Sequence, residues 1–181
     1  VVSTGGVTAY DKLIIATGSA SFFIPVAGAN LHGIVGFRDY DDVTEMLAVA
    51  KKTAGKAVVI GGGLLGLEAA AALHQQGMDV TVLHLMGHLM ERQLDPSAGY
   101  LLQKELESRG IKVVCNAHTK AILGQECAEA VALDDGAVFD ADLVVMAAGI
   151  RPETRLAVDA GLHVERGIIV DDAMATSDPD I

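Results

Sequence analysis

The chain has 181 residues, enough for one domain, or for one domain with part of another. Hydrophobic residues make up 51% of it but aromatic residues only 4%, so the core must be aliphatic, as in a sheet covered by helices. The net charge is −11 and Lys and Arg form no cluster, which argues against nucleic-acid binding, and no apolar run reaches the ~18 residues of a membrane span.

The first third of the chain predicts short strands, a loop and a helix. Residues 7–9 and 13–16 have strand-like composition, and residues 34–37 form a further candidate strand. Between them, residues 20–33 have the composition of a loop and are the best candidate for a domain boundary. Asp39 is placed to cap a helix that ends before Gly55.

The clearest unit follows at residues 57–83. A buried-type strand over 57–60 leads into Gly61-Gly62-Gly63, then a helix over 64–76 ended by Gly77, then a strand over 80–83. Strand, helix and strand in about thirty residues is the size of one parallel crossover unit.

The next segments extend the sheet and then change character. Asp95 and Pro96 begin a helix that Gly110 ends, and residues 111–114 form a third parallel strand. The apolar face expected for this helix consists of Ala98, Leu101, Leu102 and Leu106. Three short strands at 119–123, 128–133 and 137–139 include a hairpin at Asp134-Asp135-Gly136, and residues 143–146 return to a buried strand. The pattern predicts an α/β fold, a Rossmann-like parallel sheet with an antiparallel β-meander.

The glycine loop is the most informative feature. Gly61 permits a tight turn, Gly63 lets the backbone approach a pyrophosphate, and Gly66 lets the helix pack closely on the strand. Free N–H groups and the positive end of the helix dipole would face the phosphates. The alternative is a strand–helix turn that merely needs glycine.

The acidic residue that usually accompanies such a loop is missing. In NAD-binding units an Asp or Glu at the end of the second strand binds the ribose, but residues 80–90 contain neither. His84 stands there instead. It could donate to a ribose oxygen, face a 2′-phosphate when protonated, or be a surface histidine after a strand. The choice between NADH and NADPH therefore stays open.

Other chemistry-bearing residues are few. Glu68 could supply favourable charge near the helix N-terminus or face the nicotinamide end of a cofactor. Cys115 and Cys127 lack C-x-x-C spacing, so we expect two buried or half-buried thiols in a cytoplasmic protein and no zinc site. The remaining candidate ligands show no metal-binding spacing and are expected to be structural or solvated: His74, His88, His118 and His163.

Four segments together resemble the FAD-dependent pyridine nucleotide–disulfide oxidoreductase family. They are YDKLIIATGS at 10–19, GGGLLGLE at 61–68, AAGIRP at 147–152 and TSDPDI at 176–181. The resemblance implies an FAD/NAD(P)-binding fold in which the NAD(P)H domain is inserted into a discontinuous FAD domain. It predicts partial FAD-domain flanks, with residues 1–34 in the FAD domain, 35–152 in the NAD(P)H domain and 153–181 returning towards the FAD domain. Both ends are expected to continue into a longer protein, and this piece alone is expected to be inactive.

The family pattern also implies roles for individual residues. It places Glu68 near the nicotinamide and the flavin as the catalytic candidate. Residues implied to bind the NAD(P)H pyrophosphate are Gly61, Gly63, Leu64, Leu65 and Gly66. Those implied to line the nicotinamide side are Ala148, Gly149 and Ile150, and those implied to touch FAD are Thr17, Gly18 and Arg38.

Within the family, FRDYDDV at 37–43, the glycine loop and LMERQLD at 89–95 resemble the large subunits of NAD(P)H-dependent assimilatory nitrite reductases. This implies hydride transfer from NAD(P)H to FAD, then electron flow to iron–sulfur and siroheme centres in parts beyond this chain, with a small nitrite reductase subunit as a partner. The alternatives are a rubredoxin- or ferredoxin-type NAD(P)H reductase and a module that senses NAD(H) without chemistry.

Overall fold

The computed structural model describes residues 1–52 and 55–181. The chain forms two compact units, one of residues 1–20 with 150–181 and the other of residues 21–149. The second unit begins earlier than the predicted NAD(P)H domain, at Ser21, and ends at Gly149. The assignment of these units to an FAD and an NAD(P)H domain stays a prediction.

The elements of the described residues alternate as the sequence pattern predicts from residue 34 onwards. In chain order they are β1 (Val2–Ser3), β2 (Gly6–Val7), β3 (Ser19–Ser21), β4 (Ile34–Val35), α1 (Tyr40–Lys52), β5 (Lys56–Ile60), α2 (Leu64–Gln75), β6 (Asp79–Leu83), α3 (Pro96–Ser108), β7 (Lys112–Val114), β8 (Thr119–Leu123), β9 (Ala130–Leu133), β10 (Val138–Asp140), β11 (Leu143–Met146), β12 (Ile150–Pro152) and α4 (Arg155–Asp159).

The larger unit is built on a parallel sheet with the strand order β4-β11-β5-β6-β7. In this sheet Met146 of β11 pairs with Ile60 of β5, and Ile60 pairs in turn with Leu83 of β6. The three strands therefore end at the same level, and the residues that follow them lie side by side at the carboxyl edge. β8, β9 and β10 form the separate antiparallel meander. The predicted fold class is confirmed.

The two faces of the sheet bury different partners. Alternate strand residues such as Val59 and Val82 pack with apolar residues of α1, α2 and α3, while Val58 and Val144 pack with the meander. Because successive side chains of a strand point to opposite faces, near-continuous apolar strands are what a sheet covered on both sides requires. The result is a layer of helices, the sheet, and the meander.

Polar caps set the helix ends where the sequence predicted them. The Asp39 carboxylate accepts from the N–H groups of Asp41 and Asp42, and that of Asp95 accepts from Ala98 N–H at 2.8 Å. Gly77 follows α2 with φ +90°, the left-handed conformation that favours glycine after a helix.

Three details of the predicted elements are wrong. Of residues 7–9 only Val7 lies in a strand, β2. Residues 13–16 form no strand, and Ile14 is 88% exposed, because these residues have no neighbouring strand to complete a ladder within the described chain. Leu101 is exposed on α3, whereas Leu106 is buried. The apolar face of that helix is therefore narrower than its apolar composition suggested.

The smaller unit joins the two ends of the described chain. The Lys12 ammonium lies 2.6 Å from Asp180, and Leu13 N–H donates to the Asp180 carbonyl. Thr17 Oγ1 donates to the Glu153 carbonyl at 2.6 Å, while Glu153 N–H donates to the Gly18 carbonyl. Segments far apart in sequence thus form one unit.

Of the helices in the described residues, none combines the length and the apolar character needed to cross a membrane.

Candidate functional site

The glycine loop lies at the carboxyl edge of the parallel sheet, between β5 and α2. Gly61 follows β5 and its N–H donates to the Leu83 carbonyl at the end of β6, while Ala147 N–H donates to the Ile60 carbonyl. Strands on both sides of β5 therefore hold the loop. In parallel sheets of this kind the crevice beyond the carboxyl ends of the strands is where ligands bind.

The three glycines of the motif differ in whether the fold could accommodate a side chain in their place. Gly61 has φ +126°, and a Cβ there would overlap the Ala147 carbonyl. A Cβ on Gly66 would overlap the Gly61 carbonyl, so the close packing predicted for Gly66 is confirmed. At Gly63 a Cβ would meet nothing within 4 Å, and its φ of −83° suits any residue. The fold therefore requires Gly61 and Gly66, whereas it leaves the space beside Gly63 open.

The N-terminus of α2 is bare. Gly63 is its N-cap and supplies no side-chain hydrogen bond, and no acidic residue lies in the first turn. Gly63 O accepts from Leu67 N–H, so the preceding N–H groups of the helix have no intrahelical acceptor. Together with the helix dipole, these groups can receive an anion. Leu64 and Leu65 are half exposed at the same place.

His84 lies inside the structure, at the end of β6, and is only 5% exposed. Its Nδ1 accepts a hydrogen bond from Gly62 N–H at 3.0 Å. The reading of His84 as a surface histidine is therefore wrong. Contact between His84 and a bound dinucleotide stays a prediction, while the visible role of the ring is to hold the glycine loop.

We expect His84→Ala to lower the free energy of unfolding by about 2–3 kcal/mol, because it leaves Gly62 N–H without its acceptor and opens a cavity. His84→Asn should lose less, since its amide oxygen can stand where Nδ1 stands. Urea denaturation of the two variants checks this. Equal stability of both variants and the wild type would contradict a structural role for the ring.

One further group at the loop was not anticipated from the sequence. Glu91 Oε2 lies 3.1 Å from His84 Nε2, although the geometry is not that of a hydrogen bond. Met90 N–H donates to the Gly62 carbonyl at 3.0 Å, which ties this segment to the loop. Gly62 was also missed, because its contact with His84 depends on the fold.

The other predicted site residues fall in both units. In the larger unit, Glu68 is exposed on α2, Ala148 and Gly149 are exposed beyond β11, and Arg38 is exposed before α1. In the smaller unit, Ile150 begins β12, and Thr17 and Gly18 are fixed by the bonds to Glu153. Their contacts with cofactors stay predictions.

The cysteines differ from each other. Cys127 is exposed, which corrects the expectation that both thiols are buried or half-buried. Cys115 is half-buried, and burial, with a smaller effect of the Glu107 charge, raises the pKa of its thiol. The described residues contain no cluster of three or more His, Cys, Asp or Glu suited to a metal.

Comparison with known proteins gives a consistent family. The family model for pyridine nucleotide-disulphide oxidoreductases matches residues 1–181. The chain is 52% identical over 172 residues to the nitrite reductase [NAD(P)H] of Bacillus subtilis, covering 95% of this chain and 21% of that protein. It is 48% identical over 172 residues to the assimilatory nitrate reductase electron transfer subunit of B. subtilis, covering 95% and 22%.

A solved structure is similar to this chain as well. The ferredoxin reductase of Rhodopseudomonas palustris superposes with a TM-score of 0.93 at 30% identity, covering 99% of this chain and 45% of that one. The chain spans about a fifth of the length of the two B. subtilis relatives. The family match covers the whole chain, and the fold and the glycine loop agree with it. The chain belongs to the pyridine nucleotide-disulphide oxidoreductase family.

Proposed function

We propose that the glycine loop binds the pyrophosphate of NAD(P)H and that the protein passes hydride from NAD(P)H to FAD, for the assimilatory reduction of nitrite to ammonia. The observation that carries the first step is the bare N-terminus of α2, with open space beside Gly63 and no acidic residue in the first turn. An anionic diphosphate fits this place because backbone N–H groups and the helix dipole both favour negative charge.

The proposal gives residues of the chain to both halves of the dinucleotide. Gly61, Gly63, Leu64, Leu65 and Gly66 would hold the pyrophosphate, and Ala148, Gly149 and Ile150 would line the nicotinamide side. Gly149 has φ +129°, and a Cβ there would meet nothing within 4 Å, so a flat ring can approach its backbone. NAD(P)H supplies hydride chemistry when bound, and the chain supplies orientation and electrostatics.

FAD would contact the chain through Thr17, Gly18 and Arg38. Gly18 has φ +70° and its carbonyl accepts from Glu153 N–H, so the turn after residue 16 is anchored to that residue and has no side chain at Gly18. Such a turn suits close approach of a cofactor to the backbone. Flavin and nicotinamide cofactors are also what the family match supports.

Nitrite as the final acceptor rests on the similarity to the B. subtilis nitrite reductase. Siroheme and an iron–sulfur cluster would then lie in parts of the protein beyond this chain, and a small nitrite reductase subunit would be a partner. The test is ammonium formation from nitrite by the purified full-length protein that contains this chain, driven by NADH or NADPH. NAD(P)H oxidation that forms no ammonium under anaerobic conditions would contradict this acceptor.

A second candidate is reduction of a small electron carrier, which the superposition on a ferredoxin reductase favours. In that case ferredoxin or rubredoxin would be reduced rapidly and nitrite would be untouched. A module that senses NAD(H) without chemistry would show neither activity and no bound flavin. The same assay, run separately with nitrite, ferredoxin and rubredoxin as the electron acceptor, separates these functions.

We expect Glu68→Gln to slow flavin reduction by about tenfold, or about 1.4 kcal/mol in the activation free energy, with little change in the Kd of NAD(P)H. A carboxylate near the nicotinamide would stabilise positive charge that develops as hydride leaves. Rapid mixing under anaerobic conditions measures the rate and the Kd separately. An unchanged rate would remove Glu68 from the reaction and leave it as favourable charge near the start of α2.

A further inference from the structure

The position that usually recognises the adenosine ribose holds no acid in this chain. His84 occupies it, and its ring is buried with Nδ1 engaged by Gly62 N–H. Because Nδ1 accepts this bond, it carries no proton, and a neutral ring carries its proton on Nε2. The ring is therefore committed to the loop and does not itself offer a carboxylate-like acceptor to a sugar.

A carboxylate reaches the same place from a different segment. Glu91 Oε2 lies 3.1 Å from His84 Nε2, and the Glu91 side chain is 26% exposed. It therefore touches the buried ring and also reaches solvent.

The backbone fixes this arrangement. Met90 N–H donates to the Gly62 carbonyl, while Gln93 and Leu94 both donate their N–H groups to the Met90 carbonyl in the turn that follows. The Leu89 side chain is buried and lies against Gly62. Glu91 is thus held beside the glycine loop by contacts on either side of it.

We propose that Glu91 replaces the missing ribose acid and makes the site select NADH over NADPH. This rests on the proposed binding of the pyrophosphate at the glycine loop. A carboxylate accepts hydrogen bonds from the hydroxyl groups of the NADH ribose, whereas it repels the dianionic 2′-phosphate of NADPH and can accept nothing from it. The Glu91 carboxylate lies against the His84 ring, and that ring accepts a hydrogen bond from the loop.

Arg92 is the group that would favour the opposite preference, because guanidinium groups bind phosphate well. Its side chain is 77% exposed, and its Nε lies 3.9 Å from Glu91 Oε1. The Glu91 carboxylate therefore offsets part of the charge that Arg92 could offer to a 2′-phosphate. The test therefore includes a variant of Arg92.

The test is parallel titration of the purified protein with NADH and NADPH by nucleotide fluorescence. We expect the wild type to bind NADH about tenfold more tightly than NADPH, and Glu91→Gln to reduce this ratio by about tenfold, allowing for solvent screening of a partly exposed charge. The reduction should come mainly from tighter NADPH binding. Arg92→Gln should leave the preference for NADH in place.

Glu129→Gln is the matched control, because it removes one negative charge at an exposed position of the meander region outside this cluster. It should leave the ratio unchanged. A wild-type preference for NADPH, a ratio unaltered in Glu91→Gln, or equal loss of both affinities in that variant would overturn the proposal while the nucleotide site stands. Binding of neither nucleotide by the folded wild type would overturn the proposed function as well.

Discussion

Gly63→Val is expected to abolish measurable NAD(P)H binding while the protein stays folded. The space beside Gly63 is open and its φ of −83° suits valine, so the fold tolerates the side chain. That same space is where the diphosphate would meet the backbone. Losing two charge-assisted hydrogen bonds of about 1.5–3 kcal/mol each would weaken binding by about a hundredfold or more.

Titration with NADH and thermal denaturation check the two halves of this result. Ala72→Val is the matched control, since it adds the same branched side chain at an exposed position of α2 away from the loop. It should bind NADH normally. Normal NADH binding by Gly63→Val would refute the assignment of the loop as the phosphate site.

Gly66→Ala is expected to destabilise the fold itself, by about 3 kcal/mol. The new methyl group would overlap the Gly61 carbonyl, and a backbone atom in a packed turn cannot move aside as a flexible side chain can. Alanine favours a helix by about 1 kcal/mol over glycine, which offsets only part of this cost.

Urea denaturation of Gly66→Ala and Gly63→Ala gives the comparison. The second variant should lie within about 0.5 kcal/mol of the wild type, because its methyl group meets nothing within 4 Å. Equal stability of the two variants would contradict the packing described for the loop. The pair therefore separates the glycine needed for folding from the glycine that we propose faces a ligand.

Local patterns predicted most of the larger unit. The cap at Asp95, the left-handed Gly77 and the apolar strands around the glycine loop depend on residues close in sequence, and each appears as predicted. The strand predicted over residues 13–16 does not form, because a short apolar run becomes a strand only when a neighbouring strand pairs with it. No local pattern reveals whether that partner is present.

The candidate site was likewise predictable from the sequence only where its residues are close together in the chain. The spacing of Gly61, Gly63 and Gly66 indicated a nucleotide loop because that motif is continuous in sequence. The missing acid at His84 was also visible there. The role of Glu91 was not visible in the sequence, because Glu91 lies beyond the segment where a ribose acid is expected. Its carboxylate reaches His84 only because residues 89–91 fold back onto Gly62.

The most direct test of the account is anaerobic mixing of the flavin-loaded full-length protein with NADH while the flavin absorbance is followed. The wild type should lose the absorbance of oxidised flavin rapidly and in proportion to bound FAD, and Gly63→Val should not. This outcome would place NADH at the glycine loop and its hydride on the flavin. Flavin reduction at the same rate and NADH dependence in both proteins would contradict it.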